Sequence, residues 1–143
     1  MRAINDLIVV IDTNILLVSV SRRSKYNWVY QALLQGRFQL AVTQDILLEY
    51  EEKIGFHWNE QAALDVSRSL TELPNVLFTN IHYQLNLITA DDDDNKFVDC
   101  AFAANADYII THDHHFNTLK TVAFPRIPIL DIHQFKQVLE IDG

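Results

Sequence analysis

Apolar residues along this chain come in short runs, each cut off by a polar residue, and the runs alternate between strand-like and helix-like spacing. Leu7 to Ile11 is continuous and rich in β-branched residues, the pattern of a strand buried on both faces of a parallel sheet. From Tyr26 to Gln35 the residues Val29, Leu33 and Leu34 recur at helical spacing, and Gly36 supplies the stop. Phe38 to Val42 reads as a second strand. Thr43 is placed to cap a helix over Asp45 to Ile54, with Ile46, Leu47 and Tyr50 on one side and Gly55 as its expected end. A further helix spans Asn59 to Leu73 and stops before Pro74. Asn75 to Thr79 forms a third, short strand. Phe97 to Ala104 reads as a largely buried helix, Tyr108 to Thr111 as a fourth strand and Ile127 to Leu130 as a fifth. An amphipathic helix from Ile132 to Leu139 follows.

Strands separated by helical segments imply right-handed crossovers. The fold expected is α/β: a three-layer α/β/α sandwich with a central, mostly parallel sheet of four or five strands. With 143 residues and 49% hydrophobic content, the chain is long enough for one core and short for two, so residues 1–143 are expected to form a single domain. No internal repeat or low-complexity stretch occurs. The N-terminal MRAINDLIVVID breaks its apolar run at Asp12, which suits a first strand better than a signal peptide, and no apolar stretch is long enough to span a bilayer. One cysteine, Cys100, excludes an internal disulfide, and its apolar neighbours mark it as a buried small hydrophobe. A cytoplasmic setting without membrane contact is the expectation. A net charge of −8 argues against a basic, nucleic-acid-coating protein, yet it leaves room for a nuclease whose clustered acids are masked by metal.

Four acids stand at or near the ends of apolar runs: Asp12 in VVIDTN, Glu49 in ILLEYEE, Asp94 in DDDDNKF and Asp113 in YIITHD. Ligands of open parallel sheets bind beyond the carboxyl ends of the strands, where Asp12 and Asp113 fall. Hard divalent cations favour oxygen ligands, so a convergent set of this kind suits Mg²⁺ or Mn²⁺ and points to phosphodiester cleavage. Each acid also has a plainer reading. Asp12 could cap the next helix, Glu49 could be an exposed helix residue beside Glu51 and Glu52, the run Asp91 to Asp94 could favour a helix dipole, and Asp113 could begin a turn.

The order IDTN, then an acid in TQDILLEYEE, then DDDDNKFVDCAFAANADYIITHDHHF resembles the PIN-domain family of nucleases, in particular the branch related to VapC toxins. The resemblance runs from Ile8 to about Leu130 and is strongest in its last segment. It implies three or four acids holding one or two Mg²⁺ or Mn²⁺ ions and hydrolysis of single-stranded RNA. Carried over by position, the catalytic and metal-binding acids are Asp12, Glu49, Asp94 and Asp113, with Asp99 as a further metal-ligand candidate and Asn14 and Thr111 as cleft-lining residues. A toxin role, a small antitoxin partner and a homodimer are also implied. Clustered carboxylates repel one another, so at least one pKa is expected to be raised until metal binds.

Arg22, Arg23 and Lys25, followed by Tyr26 and Trp28, form the basic cluster nearest the cleft. They suit a phosphate-binding rim with aromatics stacking on unpaired bases; solvated charges above inward-packed aromatics are the equally open alternative. Lys96 is expected to face solvent. His112, His114 and His115 fit no zinc spacing, and His57, His82 and His133 are scattered. Gly55 to Leu73 carries no motif. The competing readings are a PIN-like domain that has lost catalysis and serves as a binding or scaffold module, and a receiver-like phosphorylation domain, which lacks here a suitable late-strand Lys.

Overall fold

The computed structural model describes residues 6–88, 92–122 and 125–142. The first five residues of the N-terminal reading, and Asp91 of the acidic run, lie outside the described residues.

All five strands begin and end within two residues of their expected places, because their cores are β-branched or aliphatic runs with no competing helical period. β1 is Ile8–Ile11, β2 is Gln39–Val42, β3 is Val76–Phe78, β4 is Tyr108–Ile110 and β5 is Ile129–Leu130. All pairings are parallel, in the order β3-β2-β1-β4-β5. Val9, Val10 and Ile11 of β1, Leu40, Ala41 and Val42 of β2, and Ile109 and Ile110 of β4 are fully buried, as continuous apolar runs require when helices cover the sheet.

Helices α2 (Asn27–Leu34), α3 (Gln44–His57), α4 (Glu60–Glu72), α5 (Asn95–Ala104) and α6 (Ile132–Asp142) match expected segments. Gly36 stops α2 at a φ of +74°, where its lack of Cβ removes the steric cost. The Thr43 side chain accepts from the N–H of Ile46 to open α3. Gly55 does not end that helix: α3 continues to His57, since one interior glycine costs only about 1 kcal/mol and Gly55 lies against Ala63 of α4. The unassigned stretch after Gly55 is thus the second arm of a helical hairpin, with α4 opened by the Asn59 side chain, which accepts from Ala62 N at 2.8 Å.

One helix was not expected. α1, Thr13–Ser19, follows β1 at once; its seven residues give too few turns for a period to be legible. Short 3₁₀ turns cover Asp92–Asp94 and His114–Thr121. α5 packs across β1, β2 and β4, while α1 packs on α2 and α3. The chain runs from β1 to β2 and β3 on one side, then returns to place β4 on the other side of β1. The strand order reverses between β1 and β4, the place where open parallel sheets bind ligands in a crevice beyond the strands' carboxyl ends. No helix among the described residues is long and apolar enough to cross a membrane.

Candidate active site

The register of the two central strands builds the floor of this crevice. Val9 pairs with Tyr108, Val10 with Ile109 and Ile11 with Ile110. The next residues along each strand, Asp12 and Thr111, therefore face each other as the sheet ends. Asp12 N–H donates to Ile110 O at 3.0 Å, and Thr111 Oγ1 donates to Asp12 Oδ2 at 2.7 Å. Asp12 occupies the N-cap position of α1 by backbone, but its carboxylate makes no capping bond there. The capping reading of Asp12 is thereby set aside: the carboxylate is turned to its neighbour across the sheet.

Asp113 is anchored by the same threonine, its N–H donating to Thr111 Oγ1 at 2.9 Å. Its own Oδ1 accepts from His115 N at 2.9 Å and caps the 3₁₀ turn. In this case capping and membership of the cluster coexist. His115 Nδ1 then stands 3.4 Å from Asp113 Oδ1 and 3.5 Å from Asp94 Oδ2, and this buried atom has no hydrogen-bond partner among the described residues. Asp94 is 8% exposed and, like Asp12, does not cap the helix it precedes. The ligand atoms of Asp113, His114 and His115 lie within 4.8 Å of one another.

Glu49 reaches the site from α3. The Tyr50 hydroxyl, fully buried, donates to Ile11 O and pins that part of α3 to the end of β1. Thr13 Oγ1 donates to Glu49 Oε2, and Lys96 Nζ lies 2.7 Å from Glu49 Oε1 and 3.4 Å from Asp93 Oδ1. Lys96 is thus not an outward solvated charge, as its isolated place on a helix suggested. Burial works to lower its pKa, but Glu49 and Asp93 outweigh that and hold it above its ordinary value.

Asp12 carries the electrostatic cost of the arrangement. Burial raises its pKa above 3.8, the Thr111 hydrogen bond opposes the rise, and the charges of Asp113 and Glu49 add to it. The expected raised carboxylate exists, with burial ahead of mutual repulsion as its cause. A buried, mostly oxygen-donor set with a raised carboxylate and an unsatisfied imidazole nitrogen fits a divalent cation.

Asp99 is bonded to a segment outside the four acids. It lies within α5, five residues beyond the N-cap Asp94, about 140° further round when the helical turn is extended back to that position. Its Oδ1 accepts from Leu85 N at 3.0 Å, and it lines a neighbouring cavity with Thr43, Asn80 and Gln84. Asn14 is exposed in the first turn of α1, next to the threonine that holds Glu49. Of the basic cluster, Arg22 lines a separate cavity with Tyr30, Trp58 and Val66, Arg23 is exposed, and Lys25 lies 5.0 Å from the Tyr26 ring centre. Tyr26 and Trp28 pack on the core, Trp28 at 5.8 Å from Phe135, so the inward alternative holds for the aromatics. His112 is structural, its Nε2 accepting from Ile132 N at 3.3 Å. Cys100 is fully buried and its thiol is pushed up to about 12, mainly by burial. Two members escaped sequence reasoning: Lys96, whose partner is remote in sequence, and His115, which lacks a ligand-spacing motif.

An acid at each of two adjacent parallel strand ends, with further acids supplied by the flanking helices, is the layout of a PIN-type nuclease domain. Residues 8–115 match the family model for the PIN domain, and the chain belongs to that family. Among solved structures, VapBC2 from Rickettsia felis, bound to a DNA fragment from its promoter, is similar at a TM-score of 0.60 and 15% identity, over 87% of this chain and 98% of that one. VapBC-1 from nontypeable Haemophilus influenzae gives 0.58 at 20% identity, over 89% and 99%. The PIN domain of T. brucei RRP44 gives 0.54 at 15% identity, over 96% and 83%. The sequence matches no curated protein.

Proposed function

We propose that this protein is a divalent-metal-dependent endoribonuclease that cuts single-stranded RNA, with Asp12, Glu49, Asp94 and Asp113 as its working acids and Mg²⁺ or Mn²⁺ as the ion. The observation that carries this reading is the cost of the site: Asp12 is buried beside other carboxylates and held only in part by Thr111, an arrangement that weakens the metal-free fold and that a scaffold would have no reason to keep.

Asp12, Asp94 and Asp113 would hold the ion, with His115 close enough to add a nitrogen donor. Bound there, the ion would lower the pKa of a water and stabilise charge on the attacked phosphate and the leaving oxygen. The protein's own contribution is positional. Thr111 orients Asp12 and Asp113 together, and Thr13 and Lys96 fix both oxygens of Glu49 at the edge of the cluster, where it can accept a proton from an attacking water.

A toxin role with a small antitoxin partner draws on the fold likeness to the VapBC structures. A surface for such a partner is available. Leu48, Phe56 and Leu64 on the α3–α4 hairpin are 55%, 92% and 51% exposed, and Leu48 and Leu64 border a groove with Glu51, Glu52 and Glu60.

The test is cleavage of single-stranded RNA by purified protein across an Mn²⁺ or Mg²⁺ titration, with Asp12→Asn in parallel. Wild type should cut only with metal, and the variant should lose at least about a hundredfold in rate. Equal cleavage by both proteins would show that the assigned site is not the source of the activity.

A further inference from the structure

A second cavity, of about 490 Å³, opens beside the acids and has a different character. Small-ligand sites are commonly roughly 300–1,000 Å³. One wall is the segment 79–88, which is held to α5 at two points. Leu85 N donates to Asp99 Oδ1 at 3.0 Å; Ile88 exchanges two bonds with the Asn95 side chain, at 2.9 and 2.8 Å. Between those ties Asn86 takes a left-handed φ of +52°. The wall is therefore shaped by the protein itself, before any ligand arrives.

What lines it is a set of amides. Gln44, Asn80, Gln84 and Asn86 are exposed at the rim, and among the described residues their side chains make no hydrogen bond within the protein. Each offers two N–H donors and a carbonyl acceptor. At the floor, Asp99 is 7% exposed and uses only one carboxylate oxygen, on Leu85. Lys96 borders this cavity as well as the adjoining one that contains Glu49, so the two are neighbours.

A chain of net charge −8, whose basic cluster lies away from the acids, gains little from backbone phosphates. Its hold on a strand has to come from the bases, whose edges pair with amide and carboxylate side chains when unpaired. We propose that the cavity walled by residues 79–88 and floored by Asp99 is a recognition subsite for one unpaired nucleobase adjoining the scissile phosphate. This rests on the RNA-cleaving reading for its position in the reaction, though not for its binding chemistry.

Two measurements test it. Cut sites mapped on random-sequence single-stranded RNA with Mn²⁺ should show wild type favouring one base, at a fixed position beside the cut, by at least about tenfold. The Asn80→Ala/Gln84→Ala double variant, altered only at exposed positions, should flatten that preference and still cut. No preference in wild type, or one unchanged in the variant, overturns the subsite. Independently of cleavage, the four ribonucleosides can be titrated while following the side-chain amide resonances of Gln44, Asn80, Gln84 and Asn86. One nucleoside should shift these signals at concentrations where the others do not, and no shift from any of them overturns the subsite even if RNA is cut. Shifts without any cleavage leave the subsite standing and defeat the nuclease reading instead.

Discussion

Asp94 at the N-cap of α5 and Asp99 within that helix stand five residues apart, both buried, and their side chains engage different parts of the molecule. Asp94 lies beside His115 in the carboxylate cluster, whereas Asp99 fastens the segment 79–88 and floors an amide-lined cavity. Residue type and burial do not separate them; the turn of the helix does. In the proposed reaction an acid would serve the metal only where its position brings it over the ends of β1 and β4, and about 140° of helical rotation separates Asp99 from that position.

The largest effect that would break this contrast is on catalysis. Asp94→Asn should lower RNA cleavage by roughly a hundredfold or more on every sequence, because it removes a charge that would hold the proposed ion. Asp99→Asn should instead change the ratio of rates between sequences. Finding a uniform loss in Asp99→Asn and a shifted preference in Asp94→Asn would reverse the assignment.

A smaller effect concerns Thr111. Its hydroxyl gives the larger of the hydrogen bonds that favour ionised Asp12 against burial and the charges of Asp113 and Glu49. Thr111→Val should therefore raise the Asp12 pKa further and move the acid limb of the pH–rate profile to higher pH. An unmoved limb would mean that Asp12 ionisation does not control the rate.

The smallest is on stability. Because the folded pKa of Asp12 lies above 3.8, the native chain binds that proton more tightly than the unfolded chain does. The Asp12 contribution to stability consequently falls as pH rises through the interval between the unfolded and folded values. Asp12→Asn should raise the Tm of the metal-free protein at pH 7, while abolishing the further rise that Mn²⁺ gives wild type. A lower Tm in the metal-free variant would contradict the electrostatic account.

Much of this layout was legible beforehand, for reasons that differ by residue. Asp12 and Asp113 follow uninterrupted apolar runs that read as buried strands, so their placement just past strand ends was legible from pattern, whereas the adjacency of those strands was supplied by the sheet order. Glu49 needed the three-dimensional fold, because nothing in ILLEYEE distinguishes it from Glu51 and Glu52 until Tyr50 is seen bonded to the end of β1. Lys96 and His115 were hidden because each acts through partners on other elements. The helix α1 was missed for its brevity, and the end of α3 was misjudged because packing against Ala63 tolerates a glycine that propensity would place at a terminus.

The most direct test of the central contrast is Mn²⁺ binding measured by calorimetry on wild type, Asp94→Asn and Asp99→Asn, each checked for folding by circular dichroism. The geometry predicts that Asp99→Asn binds Mn²⁺ as wild type does and that Asp94→Asn binds at least about tenfold more weakly. Weakened binding in folded Asp99→Asn, or wild-type binding in Asp94→Asn, would contradict it.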